Sequence, residues 1–252
     1  MQASPQFTLI TSTLNSGATL ERCLRSVAGQ TNASFEHLIA DGVSSDDTLM
    51  IVERFSPLYP LRLACSAPDS GIYQAWNRAL VQARGQWILF LGSDDFLLSS
   101  DILSSVAESI NSNPSLLAKR FLYGDTISAV EPPDWKVYRP QRTLNWLRGV
   151  TEFPTSVFIN AQLFQHGHRF DESYRICADH KFFAEHDLFT HGAYLPIPII
   201  SFQQGGISSN SNFERFHYLE RRRMLGELRM SRPWFTEWYY FLRSLPSRSR
   251  PS

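Results

Sequence analysis

The sequence predicts an α/β fold in which a mostly parallel central sheet is flanked by helices, with a helical extension at the C-terminus. Three observations carry this expectation. Short β-rich runs alternate with segments of helical period through the first hundred residues, and that alternation builds βαβ units and a parallel sheet. The run Trp87–Leu91 is apolar without a break, as a strand buried on both faces requires. The 252 residues, 43% hydrophobic and 19% charged, suffice for one large globular domain or two small ones.

Taken in order, Phe7–Thr11 is the first strand. Leu20, Leu24 and Val27 recur at i, i+4, i+7 and form one helical face. Phe35–Ala40 is a second strand ending at Asp41-Gly42. Ser45, Asp46 and Asp47 then suit a helix start, with capping residues and acids where the helix dipole favours them. Leu61–Cys65 is the third strand, and Tyr73, Trp76 and Leu80 mark a helix that Gly85 is placed to end. Trp87–Leu91 is the fourth strand. Leu103, Val106 and Ile110 give a helix stopped by Asn113-Pro114. Beyond it the pattern weakens. Glu131-Pro132-Pro133-Asp134 is a break, Thr151–Ile159 holds a short apolar run, and Phe182, Phe183 and Leu188 suggest a helix after Asp179. Right-handed crossovers put all strand-to-helix loops of the first half at one sheet edge, where open α/β sheets bind ligands.

Composition excludes several classes. The formal net charge of zero gives the molecule no bias towards nucleic acid. All but three (Lys119, Lys136 and Lys181) of the 24 basic residues are arginine. Cys23, Cys65 and Cys177 are odd in number and far apart, which argues against a disulfide framework and against a cysteine-based zinc pattern; they read as buried apolar thiols in a reducing compartment. His166 and His168 are two apart and His180 and His186 are not at i, i+4, so the histidines suggest no metal site. Met1–Pro5 carries no signal region. Ala193–Phe202, interrupted by Pro196 and Pro198, falls short of the ~20 residues that span a bilayer. A cytoplasmic protein is expected, soluble or peripheral on the inner face of a membrane. Glycine-rich dinucleotide and Walker-type loops do not occur.

The chemistry-bearing residues lie in the predicted loops. Asp94 and Asp95, at the end of the fourth strand, can hold a hard cation and through it a diphosphate, or form an ordinary polar turn. Asp41, just off its strand, can accept from a base or ribose hydroxyl, whereas Asp46 and Asp47 read as helix N-terminal acids. Gly71 permits close approach of a ligand, and Asp69 can cap the following helix. Tyr73 and Trp76 read as core, and Asn77 on the same face needs buried partners.

Four motifs in register carry a resemblance. They are Thr11-Ser12-Thr13-Leu14-Asn15; Asp41-Gly42-x-Ser44-x-Asp46-x-Thr48; Asp69-x-Gly71-Ile72-Tyr73-x-Ala75-x-Asn77; and Gly85-x-Trp87-Ile88-x-Phe90-Leu91-x-Ser93-Asp94-Asp95. With them the chain resembles the family 2 glycosyltransferases, most of all bacterial enzymes of polysaccharide and glycolipid assembly. The match is strong over about the first hundred residues and looser through Tyr123-Gly124-Asp125, Phe153–Phe158, Asp171–Asp179 and Gly205–Ser208. The resemblance implies a Rossmann-like GT-A fold and inverting transfer of a sugar from a UDP- or GDP-sugar to a hydroxyl of a saccharide or lipid-linked acceptor, with Mg²⁺ or Mn²⁺. It implies a catalytic domain over residues 1–212, divided into a nucleotide-sugar half (1–112) and an acceptor half (113–212), followed by an Arg/aromatic-rich tail (213–252). Thr11, Asn15 and Asp41 would contact the nucleotide; Asp69, Gly71, Asn77 and Asp94 would complete the donor site. Asp95 would bind the metal, and Asp179 would be the base, a role compatible with capping its helix. Glu152 and Thr155 would face the acceptor.

Three departures from the family pattern concern the acceptor. Phe153-Pro154-Thr155 replaces a common His-Pro-Thr, Phe183-Ala184-Glu185-His186 replaces Leu-x-Leu-Arg, and Trp76 stands where Met or Leu is usual. Two rival functions fit the sequence less well. A sugar-phosphate nucleotidyltransferase would need a basic loop after the first strand, and Thr11–Gly17 has no Lys or Arg. A non-catalytic nucleotide-sugar binder is opposed by the intact Asp94, Asp95 and Asp179. In the tail, Trp234, Trp238, Phe241 and Leu245 share a helical stripe, and nine Arg stand against four Glu from Phe213 onward. That composition suits an anionic membrane surface or a helix packed on the catalytic domain with a solvated basic face.

Overall fold

The computed structural model describes residues 4–129, 136–140, 155–203 and 211–230. The first half is built as its sequence pattern requires: β1 (Phe7–Thr13), α1 (Leu20–Ala28), β2 (Phe35–Asp41), α2 (Thr48–Phe55), β3 (Leu61–Ser66), α3 (Ile72–Leu80) and β4 (Trp87–Phe90). The two-residue β5 (Phe96–Leu97) and α4 (Ile102–Ser112) follow, then a 3-10 turn over Pro114–Ala118. The second half holds β6 (Phe121–Ala129), β7 (Lys136–Tyr138), β8 (Val157–Asn160), α5 (Gln162–Gln165), α6 (Ala178–Glu185), α7 (Leu188–His191), β9 (Gly192–Gln203) and α8 (Ser211–Glu227).

One sheet runs through both halves in the order β3-β2-β1-β4-β8-β6-β9-β5, with β7 on β6. Strands β3, β2, β1 and β4 are parallel. Beyond β4 the sheet is mixed: β8 is antiparallel to β4 and β6, and β9 is parallel to β6. The expectation of a mostly parallel sheet therefore describes the first half of the chain. The reversal at β8 places its first residue, Val157, at the same edge as the end of β4.

Each central strand is buried on both faces. Leu9, Ile39, Leu89 and Phe158 pack under α1, α2 and α4, while Ile10, Leu38, Ile88 and Ile159 pack under α3, α6 and α8. Burying a side chain of that size contributes about 1.5–3 kcal/mol. Helix α1 shows why it forms: Leu20, Cys23, Leu24 and Val27 are buried on one stripe. Gly85 has a different role from the helix stop expected of it. Helix α3 ends at Leu80, and a Cβ on Gly85 would lie 2.4 Å from the Thr8 backbone nitrogen. Only glycine lets this turn approach β1 so closely.

The expected domain boundary at residue 213 falls inside α8, whose Met224 and Leu225 are buried in the second core cluster. The aromatic stripe from Trp234 onward lies outside the described residues. Among the described residues, no helix is long and apolar enough to cross a membrane.

Candidate active site

The four loops after β1, β2, β3 and β4 meet at the carboxyl edge of the sheet and are laced together by hydrogen bonds. Asn15 takes a left-handed backbone, with φ of 51°. That conformation lets its amide donate to Ser44 Oγ at 2.8 Å while its Oδ1 accepts from the Ser45 amide at 2.9 Å. The Ser16 amide donates to Thr48 Oγ1, and the Gly17 amide to Asp46 Oδ2, both at 2.8 Å. Asp46 thus joins two loops as well as serving the start of α2. Ser16 Oγ donates to Ser93 Oγ at 3.0 Å, and Arg22 donates to the Asp94 carbonyl at 2.7 Å, which fastens the β4 loop to α1.

Asp41 is the hub of this edge. Its Oδ1 accepts from Thr13 and Ser44 hydroxyls at 2.9 and 2.6 Å; Oδ2 accepts from the Val43 and Ser44 amides and the Ser66 hydroxyl at 3.0, 3.0 and 2.8 Å. Burial opposes its charge, but the bonds from Ser44, Ser66 and Thr13 outweigh that and hold the carboxyl below its ordinary range. A carboxylate with five donors is saturated, so Asp41 shapes the loops rather than offering an open acceptor to a base. Thr11 is corrected further. It has no exposed surface, and its hydroxyl sits 2.9 Å from His37 Nε2 inside the sheet. A fully buried side chain cannot touch a nucleotide. Burial pushes His37 down to about 3, so it is neutral and hydrogen-bonds both Thr11 and Tyr59.

Asp69 turns its Oδ1 to the Gly71 amide at 3.0 Å, and Gly71, at φ 145°, begins α3 in a conformation that favours glycine. Asn77 departs from the donor side. Its amide donates to the Phe170 carbonyl at 2.9 Å and to Glu172 at 3.0 Å, and its Oδ1 accepts from the Phe170 amide at 3.1 Å. Both its donors and its oxygen bond the strap that leads to α6, which meets the expectation that a buried Asn needs partners and turns it away from the donor contacts expected of it.

The Asp94 and Asp95 carboxylates fold over Gly92. A Cβ there would stand 2.7 Å from Asp95 Oδ2 and 2.9 Å from Asp94 Oδ1. Oxygens of two different carboxylates therefore border one small space that only glycine leaves open. Hard oxygen ligands of this kind fit Mg²⁺ or Mn²⁺.

Asp179 reaches the same edge through Tyr73. The Tyr73 hydroxyl lies 2.9 Å from Asp179 Oδ1 and also within hydrogen-bond range of the Ile176 carbonyl, so its one proton serves one of them at a time. The His180 amide donates to the same Oδ1 at 2.9 Å. Among the described residues no hydrogen bond goes to Oδ2. Asp179 is the second residue of α6; the cap position is Cys177, and the expected capping by the Asp179 side chain gives way to this first-turn contact. Thr155, exposed two residues before β8, shares a 3.1 Å hydroxyl contact with Thr126. Glu152 lies outside the described residues.

Two contributions have no local sequence signal. Glu220 of α8 accepts from the Arg175, Ile176 and Cys177 amides at 2.6, 2.9 and 3.0 Å, holding the entry to α6. Cys177 Sγ and ring nitrogens of His180 and His217 lie within 4.8 Å of one another. The sequence spacing gives no sign of this cluster, because its third member comes from α8. A cavity of about 710 Å³ lined by Gln6, Arg84, Gln86, Asn160 and Gln162 sits at the opposite edge, where β1 and β4 begin, away from these groups.

Comparisons with known proteins identify the family and the fold. Residues 8–164 match glycosyl transferase family 2. A PGL/p-HBAD biosynthesis glycosyltransferase of Mycobacterium tuberculosis is 34% identical over 225 residues, covering 87% of this chain and 84% of that protein. The poly(ribitol-phosphate) β-N-acetylglucosaminyltransferase TarS of Staphylococcus aureus is 30% identical over 194 residues, 75% of this chain and 32% of that protein. The crystal structure of TarS 1–349 with UDP-GlcNAc superposes with a TM-score of 0.68 at 22% identity, covering 95% of this chain and 70% of that one. The mannosyltransferase PcManGT of Pyrobaculum calidifontis, in complex with GDP-Man and Mn²⁺, gives 0.65 at 16% identity over 96% and 70%. These likenesses establish the GT-A fold.

Proposed function

Since the chain belongs to the family 2 glycosyltransferases, we propose that it transfers a sugar from a nucleoside diphosphate donor to an acceptor hydroxyl with inversion at the anomeric carbon, in assembly of a polysaccharide or glycolipid. One observation carries the mechanistic part: Oδ1 of Asp179 meets the His180 amide and the Tyr73 hydroxyl of the donor-side motif, while Oδ2 has no hydrogen bond among the described residues. Asp179 Oδ2 would take the proton of the acceptor hydroxyl, which is a poor nucleophile until a base does so. The hydroxyl oxygen then attacks the anomeric carbon as the bond to the diphosphate breaks. A single base opposite the leaving group gives direct displacement. A divalent cation held by Asp95 beside Asp94 would offset the charge on the departing diphosphate. Asp69 and Asn15 line the donor side, Thr11, Asp41 and Asn77 support it from within, and Thr155 with Glu152 would meet the acceptor. The mycobacterial relative's name favours a glycolipid acceptor, which an arginine-rich C-terminal segment would meet at an anionic membrane surface.

Purified protein should transfer or slowly hydrolyse a UDP- or GDP-sugar only with Mg²⁺ or Mn²⁺, and a thermal-shift screen of nucleoside diphosphates and their sugars identifies the donor. Asp179→Asn should keep donor binding and lower transfer ~10²–10⁴-fold; near-normal turnover would remove Asp179 as base. Asp95→Ala should abolish metal-dependent donor binding, and unchanged affinity would sink the cation assignment.

A further inference from the structure

Cys177, His180 and His217 lie beside the candidate base but take no part in the reaction above. Cys177 is the cap residue of α6, His180 lies in its first turn, and His217 is on α8. Their sulfur and two ring nitrogens fall within 4.8 Å of one another. The two imidazoles meet edge to face at 6.0 Å between centroids, and Cys177 Sγ rests 4.0 Å from the His217 carbonyl oxygen. The contact joins two elements about forty residues apart in sequence.

One thiolate and two imidazoles are borderline-soft ligands, suited to Zn²⁺ and unlike the oxygen pair at Asp94 and Asp95. Zinc bonds of about 2.0–2.3 Å bring tetrahedral ligand atoms to roughly 3.5 Å apart, so small side-chain rotations close this triad. The surroundings favour a cation. Asp179 stands between Cys177 and His180 in the sequence, and the Glu220 carboxylate accepts from the Cys177 amide at 3.0 Å; Arg221 is the opposing charge nearby. Zinc binds the thiolate, so an entering cation releases the Cys177 thiol proton to solvent.

We infer that Cys177, His180 and His217 form a Zn²⁺-type site that pins α8 to the helix bearing Asp179. The site stands on its own ligands and does not depend on the transfer reaction.

Chelator-stripped full-length protein, kept in excess Mg²⁺ to saturate oxygen sites, is titrated with Co²⁺. The expected result is one Co²⁺ per chain with a thiolate-to-cobalt charge-transfer band, displaced by Zn²⁺, and a higher melting temperature with either ion. His217→Ala should lose the band and weaken Zn²⁺ at least about tenfold, since even groups that only orient a ligand cost that much. Cys177→Ser should do the same, but Cys177 is fully buried; the partly exposed His217 keeps the test decisive if that variant misfolds. A wild type without the band, or a His217→Ala variant that retains both band and affinity, overturns the site. Asp95→Ala should leave the band intact.

Discussion

Replacing Tyr73 by Phe removes one oxygen and leaves a packed ring in place. Burial and the neighbouring charge of Asp179 keep the Tyr73 phenol protonated far above its ordinary range, so it stays a donor. A hydrogen bond to a charged group is worth about 1.5–3 kcal/mol. Tyr73→Phe should therefore lower kcat roughly 10–100-fold, with the donor KM unchanged; steady-state kinetics at saturating acceptor test it, and an unaltered kcat would show that Tyr73 does not orient the base. The placement of residues in local motifs was legible: Asp94 and Asp95 fold over Gly92 at the end of β4, and Asp179 meets Tyr73 of α3. Thr11 and Asn77 turn inward instead of towards a ligand, because their partners His37 and Phe170 lie 26 and 93 residues away; Asp41 is held both by Val43 and Ser44 of its own motif and by the distant Thr13 and Ser66. A buried polar group takes whatever partner the fold brings, and sequence spacing does not reveal it. Asn77→Ala would strand the Phe170 amide and carbonyl at a cost of about 1–3 kcal/mol, measurable as a lower denaturant midpoint.

Helices α6 and α8 are joined by charge as well as by Glu220. Lys181 of α6 lies 2.7 Å from Asp171 and 2.8 Å from Glu227, which also accepts from Tyr174 at 2.9 Å. Burial works against both carboxylates, yet bonds from Lys181, with Ser173 at Asp171 and with Arg223 and Tyr174 at Glu227, hold each down at about 2. A depressed carboxyl stabilises the fold above its unfolded value, here 3.8 and 4.5, and that contribution is lost as pH falls towards about 2. Lys181→Met should move the acid transition to higher pH, followed by near-ultraviolet circular dichroism; an unmoved midpoint would mean the cluster adds nothing. The elements themselves were readable where one period dominates. Helices α1 and α4 and strands β1 to β4 agree with their apolar patterns to within a residue or two. Strands β5 and β7 span two and three residues, too short to carry a period. Strand β9 contains Pro196 and Pro198 and pairs β6 with shifts in register, so its apolar run gave no alternation to read.

At the scale of the whole molecule, the sheet is continuous and the coupling between its halves runs through side chains: Tyr73 to Asp179, Asn77 to Phe170, Gln74 to Glu172 at 2.9 Å. Helix α8 closes this arrangement, with Met224 and Leu225 buried in the second core cluster, as one of the two readings of the segment from Phe213 onward expects; its contacts through Glu220 and Glu227 have no signal in the sequence. Two truncations separate its role from that of the residues after it. A chain ending at Met230 keeps Glu220, Met224, Leu225 and Glu227, and should retain donor binding and melting temperature. A chain ending at Phe213 loses them all: the α6 entry loop is left with three unsatisfied amides, and the apolar surface over Phe182 and Cys177 is opened. Burying a Leu- or Met-sized side chain is worth about 1.5–3 kcal/mol, so losing Met224 and Leu225 together takes a large share of a stability of roughly 5–15 kcal/mol. The shorter chain should melt well below the longer one or fail to fold. Flotation with anionic liposomes then assigns the membrane role: binding by the full chain and its loss in the chain ending at Met230 would place it after that residue. Equal flotation of the two would exclude the final segment as the membrane contact.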